Sequence, residues 1–505
     1  MTYKMNEKPS IKKQKTSTLQ TIILNNRKNA AASVMTFKFD KKRIRIITNI
    51  KEVTKKCRGI LYWMFRDARV QDNWAFLFAQ KIAIKNRVPL HVCFCILSKF
   101  LSSTTRQYRF LLKGLNEVAI ECNQLNINFH LLHGEPSLAI AEFISKYNIG
   151  GVVTDFSPLR LPIRWINDLK GMIPCEIPIC QSSFQVDAHN IIPCWITSNK
   201  LEYSARTIRN KINSQIDQFL TEFPPVIKHP YKASEQFEDI NWETALNDVQ
   251  AESIAELTWL TPGYKAGINQ FETFLMDRLK DYYLKRNDPV ENVTSNLSPW
   301  FHFGMISVQR CIIEVQKYKC KFKQSVEAFM EEAIIRRELS DNFCFYNENY
   351  DNLQGANKWA IDTLNFHRND KREYIYDLHE LEASLTHDDL WNSAQNQLMC
   401  MGKMHGFLRM YWSKKILEWT RTPEQALEWS IYLNDKYSID GCDPNGYVGC
   451  MWSICGIHDQ GWKERNVFGK IRYMNYKGCQ RKFNVAKFVA DWGGKVHSKR
   501  KKKNA

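Results

Sequence analysis

Gly59-Ile-Leu-Tyr-Trp-Met-Phe65, Val88-Pro-Leu-His-Val-Cys-Phe-Cys-Ile-Leu97, Phe129-His-Leu-Leu132 and Gly151-Val-Val-Thr-Asp155 are apolar runs of strand length. Between them lie Asn73–Lys85, Gln107–Leu125 and Pro136–Tyr147, where apolar residues recur at helical spacing. Continuous apolar runs suit strands buried on both faces, the condition of a parallel sheet covered by its crossover helices. Strand and helix alternating over these lengths predict an α/β domain with a doubly wound, Rossmann-like parallel sheet. No Gly-x-Gly-x-x-Gly follows the first run, so the dinucleotide fingerprint is absent.

Outward from this segment the texture changes on both sides. Beyond residue 187 the strand pattern fades, and Pro193, Pro224, Pro225 and Pro230 mark an interdomain connection over 188–257. Gly267–Lys285, Ile306–Lys317, Val326–Phe343, Asp388–Leu398, Gly406–Trp419 and Pro423–Leu433 then read as helices, which predicts an all-helical domain over 258–492. The α/β domain is drawn at 58–187. Residues 1–57, rich in Lys, Asn, Ser and Thr with weak periodicity, read as a flexible basic extension, and 493–505 as a basic tail.

The 505-residue chain is 44% hydrophobic and 25% charged, enough for a substantial core, which excludes wholesale disorder and a disulfide miniprotein. No apolar run approaches the ~20 residues of a membrane span, so a soluble protein without a membrane partner is expected. Fifteen cysteines scatter from Cys57 to Cys479 without a Cys-x-x-Cys pair, and no secretory h-region opens the chain. Reduced thiols inside the cell are the reading, and no metal is expected because neither Cys93/Cys95 nor Cys450/Cys455 has ligand spacing. The net charge of +18 is uneven: residues 1–58 hold 16 Lys/Arg against 3 Asp/Glu, and 463–505 hold 14 against 2, leaving the middle acidic. Basic ends suit a polyanion through counterion release, although solvated tails account for the same counts. Lys499-Arg-Lys-Lys-Lys503 reads as a nuclear signal or as a plain basic tail.

Three constellations carry chemistry. Trp412 and Trp419 are seven residues apart, on one helix face about two turns from each other; a core stripe would explain them, but Lys403, His405, Arg409, Lys414 and Lys415 share the segment. Thr294-Ser-Asn-Leu-Ser-Pro-Trp-Phe-His-Phe-Gly304 places small hydroxyl residues and backbone amides before a helical run, where phosphate oxygens are held, or where an ordinary Ser-capped helix starts. Asp440-Gly-Cys-Asp-Pro-Asn-Gly-Tyr447, then Trp452 and Gly461–Tyr473, interleave aromatic and basic residues as a surface that stacks on bases does; a polar turn leading into a helix is the plainer account.

Together with Arg337-Glu-Leu-Ser-Asp-Asn-Phe343, Thr386–Asn392, Gly402-Lys-Met-His-Gly406, Arg409-Met-Tyr-Trp-Ser-Lys-Lys-Ile-Leu-Glu-Trp419 and Phe468–Tyr476, these motifs make residues 58–492 resemble class II cyclobutane pyrimidine dimer photolyases. The resemblance implies an α/β antenna domain joined to a helical FAD domain, and light-dependent splitting of pyrimidine dimers in DNA. In that mechanism photoexcited, fully reduced FAD gives an electron to the flipped-out dimer and recovers it after the ring opens. It implies that Tyr282 and Thr294, Ser295, Asn296, Leu297 and Ser298 hold the FAD phosphates and ribitol, that Arg409 and Asp440 form an ion pair beside the isoalloxazine, and that Asn434 faces flavin N5. It assigns Trp391, Trp412 and Trp419 to the chain that reduces oxidised flavin under light. It further implies that Glu332 hydrogen-bonds a thymine carbonyl, with burial raising its pKa, although such a glutamate could instead pair with Arg336 or Arg337. Met410 and Trp452 are implied as walls of the dimer pocket, and Arg286, Trp462 and Arg472 as contacts along the DNA groove.

Gln460 stands where some relatives carry a basic DNA contact. An antenna chromophore in the first domain has no motif to identify it; a deazaflavin type is the expectation. Ultraviolet-damaged double-stranded DNA is the expected partner and a monomer the expected state. Within the same fold the rival reading is a cryptochrome-type blue-light receptor, and outside it a non-catalytic DNA-binding scaffold, which the charge alone would allow.

Overall fold

The computed structural model describes residues 18–48, 57–172 and 182–497. The expectations for residues 1–17 and for the run Lys499–Lys503 lie outside these residues. Strands β1 (Ile44–Ile46), β2 (Gly59–Met64), β3 (Leu90–Ile96), β4 (Asn128–His133), β5 (Ile149–Asp155) and β6 (Ser182–Val186) form one sheet in the order β1-β6-β5-β2-β3-β4. All neighbours are parallel except β1, which runs antiparallel to β6 at the edge. Every residue of β2, β3 and β5 is buried, the cause of their unbroken apolar runs. Helices Trp74–Asn86, Thr105–Gln124, Pro136–Lys146 and Arg160–Met172 supply the crossovers. Asn73 starts the first by accepting from the amides of Ala75 and Phe76.

Residues 18–48 correct the reading of a flexible extension. Thr18–Ala30 is a helix, and β1 joins the sheet before residue 58. The anchor is charge. Arg27 donates to Asp72 at 2.8 and 2.6 Å and to the Tyr264 hydroxyl at 2.6 Å, and Arg310 donates to the same carboxylate at 3.0 and 3.1 Å. Asp72 thus holds two buried guanidiniums, one from the N-terminal helix and one from the helical domain. A sequence dominated by lysine hides such a contact, because one arginine and a few apolar residues (Leu19, Ile23) carry the docking.

The helical domain follows the expected helices closely in Gly406–Trp419, Asp389–Met401 and Pro423–Tyr437. Two expected helices differ in kind: the first is interrupted by a wider, i→i+5 bonded segment at Phe274–Arg278, and another at Glu331–Arg336. Such segments re-aim side chains within a helix and recur at functional sites. Buried pairs lock the two domains: Arg66 holds Asp341 through two bonds of 2.8 Å, and Glu338 accepts from the Ile191 amide at 2.7 Å.

Candidate functional site: a cationic cavity and two tryptophan arrays

The helical domain lines a half-open cavity of about 290 Å³. One wall is the loop Thr294–Ser298. Asn296 lies in the left-handed region at φ +57, which asparagine tolerates better than most residues, and accepts from Thr294 Oγ1 at 3.0 Å. Arg278 and Gln270 hold the carbonyls of Thr294 and Ser295 at 3.1 and 3.0 Å. Tyr282, Thr294, Ser295, Asn296 and Ser298 all line the cavity. Leu297 does not; it is fully buried in the neighbouring apolar core, so its part is to anchor the loop. The helix after the loop is only Ser298–His302, too short to supply the amide array expected there, and side-chain cations take that part.

Those cations come from the segment 402–409 and from Arg337. Gly402, at φ +60, ends one helix, and His405 starts the next by accepting from the Phe407 amide at Nδ1. His405 Nε2 donates to the Arg286 carbonyl at 3.0 Å, and burial pushes its pKa down to about 4, so it is neutral at pH 7. Lys403, Arg409 and Arg337 face the cavity with Asp440, Asp443 and Glu332. Asp443 is engaged by His302 at 3.0 Å, Glu332 by Arg286 at 2.7 Å and Arg337 by Glu338 at 3.7 Å, which leaves Lys403 and Arg409 against Asp440. Burial, opposed by Asp440 and reinforced by Arg409 and Arg278, pulls the Lys403 pKa down to about 8.

The expected Arg409–Asp440 ion pair is not formed. Both side chains line the cavity, and Arg409 Nε, Asp440 Oδ1 and Arg337 Nη1 are buried without a hydrogen-bond partner among the described residues. Unpartnered buried polar atoms are costly and call for a ligand that satisfies them. An anionic, hydrogen-bonding group of flavin size fits this donor set, and FAD passes the test on these atoms.

Asn434 does not itself line the cavity. It is buried behind the cavity wall, with Nδ2 donating to Asp435 at 3.0 Å and Oδ1 accepting from Ser438 at 3.3 Å. Gly446 lines the cavity, and a Cβ there would lie 2.9 Å from Asn434 Nδ2. The amide therefore approaches the ligand space only because residue 446 is glycine. The Glu332 expectation changes as well: the carboxylate is exposed, not buried, and its partner is Arg286, not Arg336 or Arg337. It lies in the wide-turn segment 331–336, which turns it and Ala333 to the cavity.

Three tryptophans form a fully buried stack. The Trp391 ring lies parallel to Trp412 with centroids 6.2 Å apart and edge-on to Trp419 at 5.7 Å. Trp391, on the helix Asp389–Met401, is thus the middle member, placed between two rings that share the helix Gly406–Trp419. Trp391 Nε1 donates to the Trp412 carbonyl and Trp412 Nε1 to Gln395, each at 2.9 Å. Asp388 sets the angle between the helices by accepting from the Trp391 amide at 2.8 Å and from the Tyr411 hydroxyl.

A second array lies toward solvent. Lys414 Nζ sits 4.7 Å from the Trp452 ring centroid, the Arg472 guanidinium carbon 5.5 Å from that ring and 4.1 Å from the ring of Trp462, and Trp462 is exposed. Asp459 clamps Arg472 through bonds of 2.7 and 3.0 Å. Met410 is half-buried and Gln460 exposed. Sequence reasoning missed Lys403, His405, Arg337 and Gly446 as site residues; Gly402-Lys-Met-His-Gly406, with glycines on either side of two basic residues, was the available signal for the first two.

A second cavity, about 160 Å³ and mostly apolar, lies between the domains. Phe65, Phe94–Leu97 and Ser157, at the carboxyl ends of β2, β3 and β5, meet Tyr108, Trp165, Phe303 and Pro444 there. That is the sheet's topological switch point, the usual ligand position in such folds. His302 and Asp443 line both cavities and form their common partition.

An α/β layer bearing one ligand cavity on a helical domain bearing a cationic one defines a two-domain protein built for a nucleotide-like anionic cofactor. The DNA photolyase family model matches residues 60–229. A deoxyribodipyrimidine photo-lyase of Potorous tridactylus is 54% identical over 471 residues, covering 93% of this chain and 88% of the relative. Among solved structures, a Synechocystis cryptochrome superposes with a TM-score of 0.69 at 16% identity, covering 88% of this chain and 89% of its own. An archaeal photolyase of Sulfolobus tokodaii, solved with two FAD molecules, gives 0.61 at 15%, covering 86% and 90%. The chain belongs to the DNA photolyase family.

Among the described residues no helix is long and apolar enough to cross a membrane.

Proposed function

We propose that this protein is a light-dependent lyase that splits cyclobutane pyrimidine dimers in double-stranded DNA, with FAD held in the cationic cavity. One observation carries the reading: Arg409, with its unpartnered Nε in the cavity wall, and Trp412, the end of the buried stack, are one turn apart on the same helix. The ligand space and the row of oxidisable rings are thereby joined. Bound there in its reduced form, FAD would supply the light-driven single electron that the repair needs.

The residues divide the remaining work. Lys403, Arg409 and Arg337 neutralise the cofactor's negative charge, with Tyr282 and the Thr294–Ser298 loop as the polar wall and Asp440 as an acceptor beside them. Asn434, reached past Gly446, offers an amide that can donate or accept. Trp412, Trp391 and Trp419, in that order, divide one long electron transfer into short steps when oxidised flavin must be reduced. Glu332, kept within reach of the cavity by Arg286, is the group that meets a thymine carbonyl, to which it donates in its protonated form only. Met410 and Trp452 wall the lesion, while Trp462, Arg472 and Arg286 meet the DNA around it; extruding the damaged bases is the condition for any of this.

A second chromophore of deazaflavin type suits the interdomain cavity, whose apolar, aromatic wall matches a flat polycyclic ring. The protein acts as a monomer wherever the DNA is kept, the nucleus in a eukaryote. The test is direct: purified protein should carry the visible absorption of a flavin, and blue light should restore dimer-containing oligonucleotides in the presence of the reduced protein. Binding of the dimer without repair under those conditions would overturn the reading in favour of a receptor or a scaffold.

A further inference from the structure

Lys414 is fully buried, an unusual state for a lysine unless it is paired. Its ammonium donates to the Ser453 carbonyl at 2.9 Å and forms no ion pair among the described residues. The other neighbour is the Trp452 ring at 4.7 Å. A buried charge held by one carbonyl and one indole face is expensive, and a methionine of similar length would fill the space without that cost. The cation is also placed with a purpose that packing does not require. It lies on the interior side of Trp452, while Arg472, clamped by Asp459, lies against the same ring and reaches Trp462 at the surface.

We propose that Lys414 is a positioning residue of the lesion pocket: its buried ammonium fixes the Trp452 indole from within, so that charge, beyond packing, sets the wall that DNA meets. The inference rests on the reading of Trp452 as a wall of that pocket. Attraction between a desolvated ammonium and an indole face is enough to hold the ring's angle, and it vanishes when the amine loses its proton. Burial, opposed by Asp459 and reinforced by Arg472, brings the Lys414 pKa down to about 7, so the hold is present in acid and released in alkali. The other groups facing Lys414 do not titrate in that range. Asp459 is held low because Arg472 outweighs its burial, and burial drives the Cys455 thiol far up; a guanidinium keeps its charge throughout.

The test compares dissociation constants for a dimer-containing and an undamaged oligonucleotide of the same sequence, from pH 6 to pH 9. The flavin-loaded wild type, Lys414→Arg and Lys414→Met are used. Wild-type preference for the dimer should fall about tenfold across the range, the scale of a lost desolvated cation–π contact. Lys414→Arg should keep the preference and lose its pH dependence. Lys414→Met should be low and flat. Should the methionine variant fail to hold flavin, the wild-type and arginine profiles decide alone. A wild-type profile that is flat, or that the arginine variant reproduces, overturns the proposal. A wild type without preference for the dimer at any pH overturns instead the repair function on which it rests.

Discussion

The two tryptophan arrays share the helix Gly406–Trp419 as their base and differ in what lies between the rings. In the buried array ring meets ring, Trp412 to Trp391 to Trp419, and the indole N–H groups of the first two end on neutral acceptors. In the outer array cations alternate with rings, Lys414, Trp452, Arg472, Trp462. A positive charge against an indole disfavours a second positive charge on it. Direct stacking without one leaves the ring free to be oxidised. Lys415 lies 5.5 Å from Trp419, but Glu418 pairs with it at 2.7 Å, so the exception is neutralised. Under the proposed function the same side chain serves electron movement in one array and DNA contact in the other, and the intervening charge makes the difference.

Four experiments break or sharpen that contrast. The largest effect belongs to Trp412→Phe, which should reduce photoreduction of oxidised flavin to background while leaving repair intact once flavin is reduced chemically; transient absorption and dimer repair, measured side by side, check both halves. Equal loss in the two assays would merge the arrays' roles. Next, Glu332→Ala should lower repair yield about 10²-fold, the scale of a lost donor at a developing charge, with a smaller change in dimer affinity. Photoreduction should be unchanged, since Glu332 touches neither array.

Lys403→Met tests the cavity to which the buried array leads. Losing a charge-assisted bond of about 2 kcal/mol should weaken flavin retention roughly thirtyfold, measured by equilibrium dialysis. The sign with pH follows from the protonated amine being the form that attracts an anion. With a pKa of about 8 before the cofactor binds, wild-type retention should be lost as pH rises above that value, and the variant should lack this dependence. The smallest effect, Trp462→Ala, removes one exposed ring and should weaken DNA binding about tenfold, with photoreduction untouched. A drop in photoreduction there would show that holes reach the outer array.

Much of this was legible before any coordinate. The four runs from Gly59 to Asp155 gave β2, β3, β4 and β5 to within two residues; β2, β3 and β5 are buried throughout and so read as nearly unbroken apolar runs, whereas the edge strand β4 is only partly buried. Trp412 and Trp419 could be placed on one helix face from spacing alone. The order of the relay could not, since Trp391 enters between them from a separate helix. Glu332 was expected to be buried; a wide turn at 331–336 swings it out to Arg286, and no local pattern announces the extra backbone residue. Arg409 and Asp440 were expected to pair, yet each keeps an unpartnered atom for the cavity.

The sequence by itself determined the alternation of strand and helix, the helical second half and the aromatic and basic residues available to the site, because periodicity and composition are local. Only the tertiary structure decided which ring lies beside which charge, that Asp72 ties the N-terminal helix to both domains, and that a missing Cβ at Gly446 opens the wall before Asn434. Those depend on distances between residues far apart in the chain, and burial gives such distances their energy: a charge that water would screen at the surface governs its neighbours once water is gone.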